Sequence, residues 1–226
     1  MRIMLKLSGE VLGGPQGMGL DADTLKKFAK TLGEIAQTHQ LAIVTGGGNI
    51  LRGKSTKNID RAKADQIGMM ATVINCMTLE QHLLAQGYNA HAVSSVLSLA
   101  SPYDIPKARR ELQNGTIVLV AGGTSNPYFT TDSAAALRAL ELNCDILLKA
   151  TKVDGVYDKD PAKHPDAKRF DHISLDDAIA QNLGVMDLTA MILCKENGLK
   201  LRVCNVDALS ELDAILNDNT KSTLVD

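Results

Sequence analysis

Leu41-Ala-Ile-Val-Thr-Gly-Gly-Gly-Asn49 decides the fold, because five apolar or β-branched residues run straight into three glycines. A continuous apolar run, rather than an alternating one, is what a strand covered on both faces requires. Similar runs recur outward from it at Ile3–Leu7, Ala90–Val93, Thr116–Val120, Asp145–Lys149 and Leu201–Cys204. Helical patterns lie between them. Leu25, Phe28, Ala29, Leu32, Ile35 and Ala36 share one helical face, with Asp21 or Asp23 available as its cap. Ile67, Met70, Ala71, Ile74 and Met77 repeat the pattern in a helix of about residues 62–86. Ser133–Leu142, opened by Asp132, and residues 188–197 give two more. Strand–helix alternation predicts an α/β fold, with a mainly parallel sheet and helices on both faces.

Residues 151–173 break the rhythm. Thr151-Lys-Val-Asp-Gly-Val-Tyr-Asp-Lys-Asp-Pro161 has turn chemistry at Asp154-Gly155 and a stop at Pro161, so it reads as a hairpin excursion on the sheet. The 226 residues are expected to form a single domain, 1–226.

Composition narrows the function. Lys plus Arg number 24 against 26 Asp plus Glu, a net charge of −2, and aromatic residues make up 3% of the chain. A nucleic-acid partner wants a basic face or stacking aromatics, and neither is offered. No apolar run approaches the ~20 residues that span a bilayer, and Lys6 interrupts the first strand before a signal-peptide core could form. Cys76, Cys144, Cys194 and Cys204 have no C-x-x-C spacing and read as small core residues; two disulfides are the rival reading. The five histidines are dispersed without zinc-ligand spacing. A soluble cytoplasmic protein is the expectation, with no nucleic-acid or membrane partner.

Three strands end in glycine-bearing turns: Lys6-Leu-Ser-Gly9, Gly46-Gly-Gly-Asn49 and Ala121-Gly-Gly-Thr-Ser-Asn126. In an open parallel sheet these share the carboxyl edge, where ligands bind, and successive N–H groups there can hold phosphate. Gly48-Asn-Ile-Leu-Arg-Gly53-Lys54-Ser55 also matches the P-loop pattern. A P-loop leads directly into its helix, whereas Lys54–Asn58 is polar and aperiodic and the helix begins only near Asp60. The match is therefore read as coincidental. Lys6 and Arg52 can neutralise phosphates. Asp132 and Asp187 stand where loop gives way to helix and can orient a lysine, hold a metal or cap the helix. Lys149, at a strand end, can reach phosphate or snorkel to the surface.

Taken in order, Lys6-Leu-Ser-Gly9-Glu10, Gly46-Gly-Gly-Asn49 with Arg52-Gly53, Asp65 before Gly68-Met-Met-Ala-Thr72, Gly123-Thr-Ser-Asn-Pro-Tyr-Phe-Thr-Thr-Asp132, Lys149–Pro161 and Met186-Asp-Leu188 form one series. Over essentially the whole chain this resembles the bacterial UMP kinases (uridylate kinases) of the amino-acid kinase superfamily. The resemblance implies a three-layer αβα sandwich and phosphate transfer from ATP to UMP with Mg²⁺ carried by ATP. It implies that Lys6, Leu7, Ser8 and Gly9, with Gly48 and Arg52, contact the ATP phosphates, and that Thr151, Tyr157 and Asp160 line the adenosine site. It assigns UMP to Gly47, Asp65, and the run Thr124, Ser125, Asn126, Pro127, Tyr128, Phe129, Thr130 and Thr131. Lys6, Arg52, Asp132 and Asp187 would be the catalytic set. Gly14, Pro15, Gln16, Gly17, Met18 and Gly19 match in position a loop linked to GTP activation. A cytoplasmic homohexamer built from dimers, with GTP activation and UTP inhibition, is also implied.

Departures from the family pattern are few. Ser125 and Tyr128 stand where Gly and Phe are commoner, the 54–61 segment is short, and Pro15-Gln16 are unusual. Two rival readings keep the fold. A carbamate, acetylglutamate or aspartate kinase would not need Asp65 with the Thr124–Thr131 wall, and a nucleotide-binding sensor would not need Lys6, Arg52, Asp132 and Asp187 together.

Overall fold

The computed structural model describes residues 1–51 and 58–226. Every apolar run of the sequence is a strand: β1 (Arg2–Leu7), β2 (Gln40–Thr45), β3 (Ala90–Ser94), β5 (Ile117–Ala121), β6 (Ile146–Thr151) and β10 (Lys200–Asn205). Three shorter strands complete the main sheet: β4 (Ser101–Pro102), β9 (His172–Ile173) and β11 (Ser222–Val225). Their order is β4-β3-β5-β2-β1-β6-β10-β11-β9. All neighbours are parallel except the β10–β11 pair, which is antiparallel. The excursion at 151–173 contains a separate antiparallel hairpin, β7 (Val156–Tyr157) with β8 (Arg169–Phe170).

Alternate residues of each strand feed two cores, one on each face of the sheet. Met4, Val44, Val120 and Leu147 pack under α4 (Ile105–Gln113), α5 (Thr131–Glu141), α6 (Leu175–Ala180) and α7 (Leu188–Glu196). Ile3, Leu5, Ile43 and Leu148 pack under α2 (Ala22–Ile35), α3 (Arg61–Leu84) and α8 (Leu212–Leu216). This is the αβα sandwich. Asp21 caps α2, its carboxylate accepting from Thr24 N at 2.8 Å, and Leu25, Ala29 and Leu32 are buried on the expected face. Cys76, Cys194 and Cys204 are buried free thiols; burial pushes Cys194 and Cys204 up to about 12, so they are inert packing groups. No described helix is long and apolar enough to cross a membrane.

Two expectations need correction. In α3 the stripe Ile67, Met70 and Ile74 is exposed to more than 40%, and the buried face is Met69, Val73, Cys76, Leu79 and Leu83. The helix is apolar on both sides, so periodicity alone picks neither side as the inner one. Asp132 does not cap α5 either. Thr130 does, its hydroxyl accepting from Asp132 N and Ser133 N, which leaves the Asp132 carboxylate free to point elsewhere.

The carboxyl edge is drawn tight where α1 (Gly9–Leu12) leaves β1. A Cβ on Gly9 would lie 2.4 Å from the Gly46 carbonyl oxygen and 2.5 Å from Asn49 Oδ1, so only glycine lets the first two loops touch. Gly9→Ala is therefore expected to destabilise the protein by about 1–3 kcal/mol through overpacking. A thermal melt checks this: at about 2–4 °C per kcal/mol for a chain of this size, the midpoint should fall by several degrees.

Candidate active site

Strand register creates the central problem of this edge. Lys6 of β1 and Lys149 of β6 are direct partners across a parallel pair, so two ammonium groups share one face. Both side chains are about 85% buried, and like charges so close repel strongly. Asp132, in the first turn of α5, answers both. Its carboxylate lies 2.8 Å from Lys6 Nζ and 2.7 Å from Lys149 Nζ. Lys149 also donates to the Val185 carbonyl at 2.5 Å.

Burial pushes the Asp132 pKa up, but the two lysines more than offset this and hold it below the usual carboxylate value. Burial lowers the Lys149 pKa, and the nearby Lys6 lowers it further, against the pull of Asp132. Two buried lysines thus share one carboxylate, and Asp187 adds a second negative charge near Lys149.

Asp187 secures the helix that delivers Asp132. It caps α7 by accepting from Ala190 N at 3.1 Å. It also accepts hydrogen bonds from the Thr130 hydroxyl and, at 2.8 Å, from Ser133 Oγ. One carboxylate therefore joins the start of α7 to the start of α5. Both acidic residues are engaged by protein groups, Asp132 by lysines and Asp187 by hydroxyls and a helix end. Among the described residues no cluster of three or more Asp, Glu, His or Cys is arranged to hold a metal ion.

Two cavities gather most of the remaining candidate residues. The first, about 550 Å³, is lined by Gly47, Gly48, Arg61, Asp65, Gly68, Met69, Thr72, Thr124, Phe129, Thr130 and Thr131. The second, about 400 Å³, lies between Val153–Pro161 and Gln181–Gly184, with Tyr157 and Asp160 in its wall. Thr131 of the first wall adjoins Asp132 in the chain, and Gly184 of the second adjoins the Val185 that holds Lys149.

The sequence-derived residues sort themselves accordingly. Gly47, Gly48, Asp65, Thr124, Phe129, Thr130 and Thr131 meet in the first cavity. Ser125, Asn126, Pro127 and Tyr128 are not in its wall; they form the exposed tip of the same loop. Tyr157 and Asp160 meet in the second cavity, while Thr151 ends β6 beside it, its hydroxyl accepting from Val153 N. Leu7 is buried in the sheet, and Ser8 and Gly9 make the β1–α1 junction. Arg52, with Gly53, Lys54 and Ser55, lies outside the described residues. Among the described residues, helix α3 begins at Arg61 with Asp60 as its cap, six residues beyond Ser55. Gly14–Gln16 form a single 3₁₀ turn, and Gly19 exchanges hydrogen bonds with Asn49: Gly19 N to the Asn49 carbonyl at 2.8 Å and Asn49 Nδ2 to the Gly19 carbonyl at 2.7 Å.

Ser125 and Tyr128, the two unusual residues of the 124–131 loop, both have positive φ, 73° and 72°. That explains why glycine suits the first position. The strain of about 1–2 kcal/mol for a side chain there is opposed by the Ser125 Oγ bond to the Ser95 carbonyl at 2.9 Å. At the second, Tyr128 N donates to Asp65 Oδ2 at 2.8 Å, and Arg61 Nε reaches the same carboxylate at 2.9 Å.

Several contributors escape sequence reading. Arg138, buried in α5, donates to the Gly123 carbonyl at 2.9 Å and to Glu141 at 2.7 Å, fixing the stem of the loop. Asn75 and Asn49 exchange side-chain hydrogen bonds at 2.8 and 2.9 Å, and Asn75 also holds the Gly46 carbonyl. A polar residue within the buried stripe of α3 is the signal that finds Asn75.

Residues 1–205 match the model of the "Amino acid kinase family". The chain belongs to the amino acid kinase family. Within it, the chain is 44% identical to "Uridylate kinase" of Rickettsia bellii, covering 100% of this chain and 96% of that one. It is 46% identical to "Uridylate kinase" of Methylococcus capsulatus, over 91% and 88% of the two chains. The fold is similar to that of UMP kinase from Ureaplasma parvum, with a TM-score of 0.94 at 37% identity, covering 100% and 98% of the two chains. UMP kinase from Bacillus anthracis gives 0.93 at 33% identity, covering 100% and 95%.

The Asp132 pairs make stability depend on acid. A carboxyl whose folded pKa lies below its unfolded value of about 3.9 adds stability that is complete above that value and is lost as pH falls through the folded one. Asp132→Asn should therefore cost about 3–5 kcal/mol at neutral pH, where it leaves two buried ammonium groups unpaired. Denaturant unfolding at neutral pH and below pH 3 checks it: the gap between the variant and the parent should narrow in acid.

Proposed function

We propose that the protein is a UMP kinase that transfers the γ-phosphoryl group of ATP to UMP, giving UDP and ADP in pyrimidine nucleotide biosynthesis. The observation that carries this reading is the Lys6–Asp132–Lys149 cluster, two buried lysines sharing one carboxylate next in the chain to Thr131 of the first cavity's wall. The relatives named uridylate kinase and UMP kinase support it.

UMP takes the first cavity. Asp65 accepts from the nucleoside, by the resemblance at its ribose hydroxyls, sharing or displacing the Tyr128 N–H and Arg61 that it now holds. Thr124, Phe129, Thr130 and Thr131 of the 124–131 run face the uracil and phosphate. A donor there aimed at O4 would be left unpaired against the cytosine amino group, which is how uracil is selected. ATP takes the second cavity, with Thr151, Tyr157 and Asp160 around adenosine and Lys6–Gly9, Gly48 and Arg52 at the phosphates.

The UMP phosphate is already ionised, so no strong base is needed. One of its oxygens attacks the γ-phosphorus as the bond to the β-bridging oxygen breaks, and ADP leaves with that electron pair. Phosphoryl transfer of this kind depends on positioning and on cancelling charge. Lys6 and Lys149, held ready by Asp132, neutralise the equatorial oxygens, and the glycine-loop N–H groups add donors. Magnesium, when bound, would supply further neutralisation of the ATP phosphate charge; it would come with the nucleotide, since Asp132 and Asp187 are both engaged by protein groups.

The reading extends to a single cytoplasmic kinase domain over 1–226 that assembles as a homohexamer built from dimers. The exposed Ile67–Met70–Ile74 stripe of α3 and the fully exposed Leu97 support self-association. GTP activation and UTP inhibition belong to the same proposal. The Asn49 link between Gly19 and the Asn75–Gly46 network gives the 14–19 loop a direct connection to the phosphate loop.

ADP release with ATP, Mg²⁺ and a panel of UMP, CMP, AMP, GMP, carbamate, aspartate and acetylglutamate tests the reading. Turnover should be largest with UMP; turnover with an acid alone would overturn it. Asp65→Asn should raise the KM for UMP by about 10–100-fold, the range for losing hydrogen bonds to a charged group, and leave the KM for ATP unchanged.

A further inference from the structure

The β7–β8 hairpin carries Tyr157 and walls the second cavity, yet it belongs to no part of the main sheet. It has two residues in each strand, too few to hold its own position in water. Its anchor comes from the C-terminal strand. Thr223, opposite Val203 in the antiparallel β10–β11 pair, is completely buried.

The Thr223 hydroxyl has one proton to give and lone pairs to receive, and both roles are used on the hairpin. Oγ1 accepts from Val156 N of β7 at 2.8 Å, and it donates to the Phe170 carbonyl of β8. One side chain thus ties both strands of the hairpin to the sheet edge. The approach is close enough to exclude a side chain between them: a Cβ on Gly155 would lie 2.4 Å from Thr223 Oγ1. The neighbouring Ser222 carbonyl accepts from Arg169 of β8, so the same strand is gripped a second time. Arg202 of β10 in turn holds Ser222 Oγ at 2.8 Å, which fixes the C-terminal strand itself.

We propose that Thr223 is a positioning residue for the phosphoryl donor, setting the hairpin wall against which the adenosine of ATP binds. This rests on the reading of the Val153–Gly184 cavity as the donor site. Thr223 touches no substrate. It acts through Val156 and Phe170, one residue removed from Tyr157.

The distinguishing property is selectivity between the two substrates. Removing the hydroxyl leaves a buried N–H and a buried carbonyl unpaired, and the hairpin must move to rehydrate them. Thr223→Val in the full chain should raise the KM for ATP by about tenfold, the equivalent of one unsatisfied buried hydrogen bond, with the KM for UMP unchanged. Thr223→Ser, which keeps the hydroxyl, should restore the ATP KM. Gly155→Ala perturbs the same contact from the hairpin side and should reproduce the ATP defect; it decides the matter if the valine variant does not fold. An ATP KM unchanged in both Thr223→Val and Gly155→Ala, or a rise of both substrate KMs together, overturns the proposal. Asp160→Ala separates the two levels. If it raises the ATP KM while Thr223→Val does not, the positioning role fails and the donor site stands. If it leaves the ATP KM unchanged, the donor-site reading fails and the proposal falls with it.

Discussion

One carboxylate between two lysines organises this edge of the molecule. The β1–β6 register sets Lys6 beside Lys149, and nothing in the sheet itself relieves their repulsion. Asp132 does so only because α5 starts where it does, and α5 starts there because Thr130 caps it. Asp187 holds Thr130 and Ser133 and caps α7 in the same stroke. The chain of dependence runs from a helix cap, through a second helix, to two buried cations. Replacing one partner of such a pair is costly because the other charge remains buried. A phosphoryl group arriving between the lysines would meet cations already desolvated and already aimed.

The two cavities follow from the topology. In a parallel sheet the carboxyl ends of successive strands collect on one edge, and loops of very different length meet there. The wall of the first cavity is a loop whose stem is fixed by Arg138 and by Thr72 Oγ1, which accepts from Gly122 N at 2.9 Å. Its tip, Ser125–Tyr128, has two residues at positive φ. The wall of the second cavity includes a minimal hairpin held by β11.

How far these features were legible depended on whether a local pattern had one meaning. The six long strands were readable because each is a short, continuous apolar run bounded by turn residues. Helix α2 was readable because its apolar residues lie on one side. In α3 the exposed Ile67–Met70–Ile74 stripe is as apolar as the buried one, so the sequence could not say which faces the sheet. Helix α4 buries only Ala108 and Leu112, too few for a periodic signal, although Asp104 before Ile105-Pro106 was a usable cap cue. Strand β11 hides in Ser222-Thr-Leu-Val225 because its buried hydroxyls read as loop.

For the site, Lys6, Asp65 and the 124–131 run were found by their order along the chain. Lys149 stood out as the one charge within β6. Pairing with a lysine was one of three readings open for Asp132, since before Ser133-Ala-Ala it also looks like a helix cap or a metal ligand. Only the observation that Thr130 already fills the capping role frees the carboxylate. The measurement that tests this account most directly is the steady-state kinetics of Asp132→Asn with ATP and UMP. If Asp132 serves to hold Lys6 and Lys149 together for the transferred group, kcat should fall by about 10²-fold or more, as when one preorganised electrostatic contact is removed, with both KM values little changed. A kcat equal to the parent's, with the loss confined to KM, would contradict it.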